Sequence, residues 1–229
     1  MKNTIAKCTQ REFGFTNWGG KRRGAGRKPK GRRAGVPHEK REAFGSSKAL
    51  LVTQKLRLDV PSLRHPQAHA VVAEALVAGT KEDFRVVEYS VQFDHIHLIV
   101  EAEDEKALSR WLKGLFVRIA RALNRLWKRV GNVFPDRFHS RILATPRAVR
   151  IALVYVLGNA RKHGSWGKSE PDVYSSGPSF DGWKATSSSA MSAVSSSRAP
   201  RLLERARTWL LSVGWRRHGL IDPREQPRT

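Results

Sequence analysis

Apolar residues recur with two different periods along the chain, and each period predicts a type of element. Alternating apolar and polar positions predict strands at 49–58, 84–93, 95–101 and 137–143, with a tight turn near 92–94. Apolar residues at three- and four-residue steps predict helices over 66–78, 104–130 and 146–163. Thr145 is placed to cap the third helix, and Gly131 to end the second.

The order of these elements predicts the fold class. Strand, helix, strand, strand, helix, strand, helix is typical of an α+β domain with a ferredoxin-like antiparallel sheet backed by helices. A further helix is predicted near the carboxyl terminus by the spacing of Leu202, Leu203, Ala206, Trp209, Leu210 and Val213.

Composition divides the chain into four parts. We predict a basic flexible arm at 1–45, a folded domain at 46–164, a Ser-rich linker at 165–199, and a C-terminal helix and tail at 200–229. The linker contains three aromatic residues, Tyr174, Phe180 and Trp183, which favour docking of that stretch onto the domain.

The charge of the chain indicates a polyanionic partner. Lys and Arg number 43 against 20 Asp and Glu, which gives a formal net charge of +23 and a pI near 11.2. Eight of the thirteen residues from Lys21 to Arg33 are cationic. Arg27, Lys28 and Lys30 of this arm are candidate DNA contacts, either inside a narrow minor groove or by general neutralisation of phosphates.

Membrane association is not expected from the sequence. No stretch approaches the roughly 20 apolar residues of a spanning helix, and the amino terminus lacks the apolar core of a signal peptide. Cys8 is the single cysteine, so a disulfide within the chain and a cysteine zinc site are both excluded. These features fit a cytoplasmic protein whose metal, if it binds one, is held by nitrogen and oxygen ligands.

The chemistry-bearing residues begin with a pair of histidines. His95 and His97 lie two apart on a predicted strand, so both project from one face while Ile96 and Leu98 point to the other. Two imidazoles about 6–7 Å apart at their backbones can bind one divalent ion. A pair of this kind is also common by chance, and His139 and His163 are better candidates for surface or DNA-contacting residues.

A second pair lies on the helix predicted from residue 146. Tyr155 and Asn159 are four residues apart and therefore share a helical face, separate from the apolar stripe that includes Val149 and Val156. The amide oxygen of an asparagine is a good ligand for Mg²⁺ or Mn²⁺. A packing tyrosine and a surface amide are the alternative interpretation of these two residues.

Together the two segments resemble the single-tyrosine HUH transposases, especially their REP-associated branch. The first segment is FDHIHLIV at 93–100, and the second is YVLGNARKHG at 155–164. The 58 residues from His97 to Tyr155 also resemble the family's spacing. The resemblance covers about residues 48–164, and the basic GRKP arm and the C-terminal WLL and GWRR stretches are similar to relatives as well.

The resemblance implies a metal-dependent transposase that nicks and joins single-stranded DNA during DNA recombination. Its metal ion would be held by His95, His97 and Asn159, and Tyr155 would form a covalent 5′-phosphotyrosine beside a DNA hairpin. Asparagine as third ligand is as in the REP-associated branch, whereas Asp94 stands where that family has asparagine. Relatives work as homodimers that exchange the tyrosine helix or as monomers.

The sequence also offers a candidate track for DNA. Its members are cations of the second helix and one of the third: Arg110, Arg118, Arg121, Arg125 and Lys162. Lys162 is also a candidate for assisting the tyrosine to lose its proton. Trp111 and Trp127 are candidates for base stacking, although packing in the core is the favoured interpretation for both.

Three other functions are compatible with parts of this pattern. A catalytically inactive or domesticated relative would grip DNA or RNA hairpins without cutting, and a ribosomal-type RNA-binding protein would explain the charge alone. A phosphodiesterase that uses water would leave Tyr155 dispensable.

Overall fold

The computed structural model describes residues 42–162, 171–185 and 201–227. The predicted arm cations Arg27, Lys28 and Lys30 lie outside these residues, as do Cys8 and His163. All of the described residues belong to the unit Glu39–Thr229.

Four antiparallel strands form the sheet, in the spatial order β2-β3-β1-β4. The elements along the chain are β1 (Lys48–Lys55), α1 (Pro66–Val77), β2 (Phe84–Val91), β3 (His95–Ala102), α2 (Glu105–Leu126), β4 (His139–Ile142) and α3 (Pro146–Lys162). This order and this connectivity are those of a ferredoxin-like sheet, so the predicted fold class is confirmed. The turn at 92–94 is also confirmed, with the Gln92 amide donating to the His95 carbonyl at 2.8 Å.

One face of the sheet forms the main core against α1 and α2. Alternate residues of each strand, such as Leu50, Val86, Ile96 and Leu98, are fully buried there together with Leu112 of α2. This is the apolar set that the strand periodicity assigns to the core, because side chains two apart share a face.

The opposite face of the sheet is covered by α3. Val149, Leu153 and Val156 of this helix pack against Ile99 and Leu143 in a second apolar cluster. Thr145 caps the helix as expected, because its hydroxyl accepts from the Ala148 amide at 3.1 Å. The face of β3 that carries the histidines is therefore the face that carries α3.

The second helix ends earlier than predicted. It runs from Glu105 to Leu126, and the expected stop at Gly131 lies beyond its end. Lys128 adopts a positive φ of 49°, the Arg129 amide donates to the Asn124 carbonyl at 2.9 Å, and the Lys128 amide donates to the Arg125 carbonyl at 3.3 Å. These bonds close the helix in the manner usually seen with glycine, so a lysine ends the helix where the sequence offers no glycine.

The first strand is also shorter than the predicted 49–58. It ends at Lys55, and the Arg57 amide leaves the sheet to donate to the Val133 carbonyl at 2.9 Å. Leu58, expected on the buried face, is therefore 94% exposed. The hydrogen bond to the distant loop at Val133 therefore ends the strand before the alternating apolar pattern ends.

Part of the predicted Ser-rich linker is structured. Residues 171–185 are described, and the stretch around Ser175 pairs antiparallel with the β2 edge at Ser90. Its anchor is Asp172, a buried carboxylate that accepts two bonds from the Arg64 guanidinium at 2.8 and 2.9 Å. Docking of the aromatic residues was expected from the sequence, and here Phe180 stacks on Trp215 with ring centroids 5.7 Å apart. The segment covers an edge strand that would otherwise present unpaired backbone groups.

The predicted C-terminal helix is much shorter than the periodicity suggests. Only Trp209–Ser212, here α4, is α-helical, followed by a 3₁₀ turn at Gly214–His218. Glu101 of β3 accepts from the Arg207 amide at 2.9 Å and from the Thr208 amide at 2.7 Å, which holds the preceding chain in an extended form. The buried carboxylate thus prevents the helix from starting at residue 202. Within the described part of the chain, no helix is long and apolar enough to cross a membrane.

Candidate metal and nucleophile site

His95 and His97 project together from β3 toward α3, as the strand alternation predicts. Their ring centroids are 4.6 Å apart, with the ring planes inclined at 77°. His97 is buried, whereas His95 is partly exposed at the start of the strand. Two imidazoles at this separation can bind one ion, with solvent access from the His95 side.

A hydrogen bond holds the Nδ1 atom of each histidine. Nδ1 of His97 lies 3.0 Å from the Thr53 hydroxyl, and Nδ1 of His95 lies 2.6 Å from a carboxylate oxygen of Asp94. Bonds of this kind fix the orientation of a ligating imidazole and make Nε2 the atom directed at a metal. Both partners therefore fix the orientation of the two rings.

Asp94 remains ionised beside His95. Desolvation by burial would raise the pKa of Asp94, but the hydrogen bond with His95 and the charge of that ring hold the pKa below its usual value. An ionised carboxylate on a metal-ligating histidine increases the basicity of the imidazole. Asp94 therefore acts directly on the electrostatics of His95.

Tyr155 of α3 lies against His97. The two ring centroids are 4.9 Å apart, and the planes meet edge to face at 69°. The phenol is partly buried, and this desolvation raises the pKa of Tyr155 above its ordinary value of 10.0. The structure thus brings together the tyrosine and the histidine that the sequence could place only on separate elements.

Asn159 lies one helical turn beyond Tyr155 and is fully buried. Neither its amide nitrogen nor its amide oxygen has a hydrogen-bond partner within the described residues. Leaving a buried polar group unpaired costs about 1–3 kcal/mol, so buried amides nearly always have partners. An unsatisfied amide here fits a group that completes its bonding only when a ligand is bound.

These donors suit a divalent cation in their chemistry. No three His, Cys, Asp or Glu side chains cluster closely enough to hold a metal among the residues that the structure describes. A site would therefore rely on the two imidazoles and the amide oxygen of Asn159. Neutral nitrogen and oxygen donors leave the ion its positive charge and are acceptable ligands for Mg²⁺ or Mn²⁺.

Sequence reasoning missed Thr53 as a partner of the site. Thr53 belongs to β1, more than forty residues before His97, and faces it only through the strand register. Its position in an alternating strand placed it on the α3 side of the sheet, but no local pattern identified its partner. The pairing of β1 with β3 is visible only in the tertiary structure.

The predicted DNA track on α2 is not brought to this site. Arg118, Arg121 and Arg125 are exposed on α2, which packs on the opposite face of the sheet from the histidines. Arg110 is bound to Asp83 at 2.5 Å. The side chain of Lys162 lies outside the described residues.

The tryptophans of α2 have packing roles, as the sequence favours. The Trp111 indole donates to Asp83 at 2.6 Å, and both Trp111 and Trp127 pack against the main core. His139 is exposed on β4, in agreement with its interpretation as a surface residue.

Comparisons with known proteins give structural similarities but no match to a family or a curated protein. Among solved structures, the chain is similar to a REP-associated tyrosine transposase bound to a REP hairpin, at 19% sequence identity and a TM-score of 0.46. The alignment covers 57% of this chain and 76% of that chain. Similarity at this level does not assign an activity.

Proposed function

We propose that this chain is a metal-dependent transposase-type nuclease that cuts and rejoins single-stranded DNA through a 5′-phosphotyrosine. One observation carries the proposal: Tyr155 lies 4.9 Å from His97, ring centroid to ring centroid, and the unsatisfied amide of Asn159 lies on the next turn of the same helix. A phenol and potential metal ligands are thereby assembled on one surface.

His95, His97 and Asn159 would hold the ion, which we propose to be Mg²⁺ or Mn²⁺. When bound, such an ion polarises a non-bridging phosphate oxygen and offsets the charge that develops at phosphorus. Asp94 and Thr53 keep the two imidazoles in a fixed orientation toward it. The burial of Asn159 excludes water from that side of the site.

Tyr155 supplies the nucleophile. Its hydroxyl oxygen attacks phosphorus and loses its proton, the bond from phosphorus to the 3′ oxygen breaks, and that oxygen leaves as a 3′-hydroxyl after gaining a proton. The phosphodiester is exchanged for a tyrosyl ester, so a second 3′-hydroxyl can reverse the reaction on another strand without an external energy source. Strand transfer is therefore the same chemistry in the opposite direction.

Burial regulates the reactivity of this phenol. Desolvation raises the pKa of Tyr155, so the phenol stays protonated at neutral pH. A cation bound close to the phenol would lower this pKa again. A neutral phenol is a weak nucleophile. We therefore expect cleavage to depend on the divalent ion as well as on Tyr155.

The proposed partner is single-stranded DNA next to a hairpin. An unpaired strand is needed because a duplex would block in-line approach of the phenol. The high positive charge of the chain suits a phosphate backbone. Since Tyr155 faces His97 of the same chain, the arrangement supports a site completed within one monomer, although a homodimer that exchanges α3 is the other form we consider.

The test is formation of a covalent adduct. A labelled hairpin oligonucleotide with randomised single-stranded flanks would be incubated with the full chain and Mg²⁺ or Mn²⁺, then separated under denaturing conditions. We expect a labelled protein band that requires metal and disappears in Tyr155→Phe. Tyr174→Phe is the matched control, because Tyr174 lies in the docked segment beside Arg64 rather than at the histidines.

The outcomes separate the competing functions. Binding of the hairpin with no adduct under either metal would show a binding protein and reject the enzyme. Cleavage that persists in Tyr155→Phe would show hydrolysis by water. Loss of the adduct in His97→Ala with retained DNA binding is expected if the histidine acts at the reacting phosphate.

A further inference from the structure

A cavity of about 440 Å³ opens directly beside Tyr155, on the β4 side of the phenol. Apolar side chains from both the sheet and the helix line it: Leu51 of β1, Leu143 after β4 and Ile151 of α3. We call these three residues the floor of the cavity. Pockets that bind small molecules have volumes of roughly 300–1,000 Å³ and mostly apolar walls. The cavity has the size and lining of a ligand site.

Two arginines stand at this cavity. Arg141 on β4 and Arg147 on the first turn of α3 both line it, and both are exposed. No carboxylate lines the cavity, and neither guanidinium has an ion-pair or hydrogen-bond partner within the described part of the chain. Arg150, one turn further along α3, is by contrast bound to Glu225 at 2.8 Å. The cavity therefore offers two positive charges that the described protein does not neutralise.

The cavity is continuous with the proposed reaction centre. Thr53 and Tyr155 are among its lining residues, and both of these side chains contact His97. A molecule in the cavity would thus lie against the phenol of Tyr155. A DNA strand with a phosphate at Tyr155 could therefore place the adjoining nucleotide in this cavity.

We propose that this cavity binds the nucleotide next to the cleaved phosphate, and that Arg141 and Arg147 bind the phosphates on either side of that nucleotide. This inference rests on the proposed function, which it extends to a specific subsite. The apolar floor suits the face of an unstacked base, and guanidinium groups suit phosphate oxygens, which they bind in two-point contacts. A wholly apolar ligand would make no ion pair with either arginine, and an inorganic anion would make no contact with the apolar floor.

The test uses a single nucleotide so that the rest of the DNA does not contribute. Thymidine 3′,5′-bisphosphate carries one base and both flanking phosphates, and its binding to the full chain would be measured by calorimetry in the Tyr155→Phe background. That background keeps the ring and removes the covalent step. We expect binding that weakens about tenfold in each of Arg141→Ala and Arg147→Ala, as lost charge-assisted phosphate bonds would produce. Uncharged thymidine and inorganic phosphate should each bind more weakly than the bisphosphate.

The controls separate this site from general attraction to a basic protein. Arg205→Ala with Arg207→Ala removes two exposed charges elsewhere and should leave bisphosphate binding unchanged. Ile151→Trp places a large ring at the cavity and should abolish binding without loss of charge. The proposal would be overturned if the Arg205 and Arg207 control weakened bisphosphate binding as much as Arg141→Ala or Arg147→Ala does. Undiminished binding in Ile151→Trp would also overturn it.

Failure here is distinguishable from failure of the proposed function. If the bisphosphate binds through Arg141 and Arg147 but no covalent adduct ever forms, the nucleotide site stands and the nuclease is rejected. If the adduct forms normally while Arg141→Ala and Arg147→Ala bind and cleave as the unaltered protein does, the nuclease stands and this subsite is rejected.

Discussion

Thr53 and His97 face each other across β1 and β3, and the Thr53 hydroxyl lies 3.0 Å from Nδ1 of His97. This contact fixes the ring that in turn lies against Tyr155 at 4.9 Å. A side chain on the neighbouring strand therefore determines how the histidine meets the third helix. The relationship depends on register, since a shift of one residue would move Thr53 to the other face of the sheet.

Thr53→Val should weaken metal binding. Valine keeps the shape and removes the hydroxyl, so His97 loses the bond that orients its ring. Removal of such a partner usually lowers metal affinity by about 10–100-fold. Calorimetric titration with Mn²⁺ would measure the change. Thr80→Val, in the turn before β2, is the control and should bind Mn²⁺ as the unaltered protein does; equal affinities in all three proteins would contradict an orienting role for Thr53.

Asn159→Leu should stabilise the metal-free protein while abolishing its response to metal. The buried amide lacks a partner within the described residues, so an apolar side chain removes a penalty of about 1–3 kcal/mol. A ligand that binds only the folded state raises the melting temperature, and this rise should vanish with the ligand atom. Thermal unfolding with and without Mn²⁺ tests both effects.

A second substitution at this position protects the test against poor packing of leucine. Asn159→Asp retains a hard oxygen and should lower the stability of the metal-free protein, because it buries a charge. Mn²⁺ should then restore much of that stability. A metal response that survives in Asn159→Leu would remove Asn159 from the ligand set.

Glu88 should make stability fall as pH rises. Burial raises the pKa of Glu88 to about 7, and Arg201 at 2.8 Å only partly opposes this effect. In the unfolded chain the carboxyl titrates near 4.5, so between these values the folded protein binds more protons. The contribution of Glu88 to the free energy of unfolding is therefore complete below pH 4.5 and is lost as pH rises through about 7. The free energy of unfolding falls by about 3 kcal/mol over this range.

The matched variant for this prediction is Glu88→Gln, which cannot titrate. The free energy of unfolding would be measured in urea at pH 5, 6, 7 and 8. As pH rises, we expect the unaltered protein to lose stability relative to Glu88→Gln. Parallel stability profiles over this range would show that Glu88 has an ordinary pKa.

Gly182→Ala should detach the docked segment from the C-terminal residues. A Cβ atom at Gly182 would lie 2.5 Å from Cζ of Phe180 and would also collide with the ring of Trp215. Overpacking of this kind costs about 1–3 kcal/mol. Gly114→Ala in α2 is the control, because nothing lies within 4 Å of its added Cβ, and it should stabilise the protein by about 0.5–1 kcal/mol. Equal melting temperatures for the two variants would contradict the packing described here.

The basic arm should contribute affinity without contributing chemistry. Replacing the eight Lys and Arg residues between Lys21 and Arg33 by Gln in the full chain should weaken binding to an oligothymidylate. It should also reduce the dependence of log affinity on log salt, by roughly 0.7 per lost phosphate contact. Adduct formation at low salt and high protein concentration should persist. An unchanged salt dependence would show that the arm does not contact the backbone.

Local patterns predicted most elements because their physical causes are local. The alternation around Ile96 and the three- to four-residue spacing around Val149 reflect burial of one face, and both appear in the structure as expected. Predictions failed where a distant group competed with the local pattern. Glu101 binds the backbone at Thr208 and shortens the last helix, and Val133 draws Arg57 away from β1.

The amino-acid sequence by itself determined the ferredoxin-like order of elements, the strong positive charge, and the two pairs His95 with His97 and Tyr155 with Asn159. Each of these follows from composition or from the period of a single element, which needs no knowledge of neighbours. Only the tertiary structure decided that Tyr155 lies against His97, that Thr53 holds the ring of His97, and that α2 occupies the opposite face. Those relations arise from strand register and from the packing of α3 on the sheet, and they join residues from opposite ends of the domain.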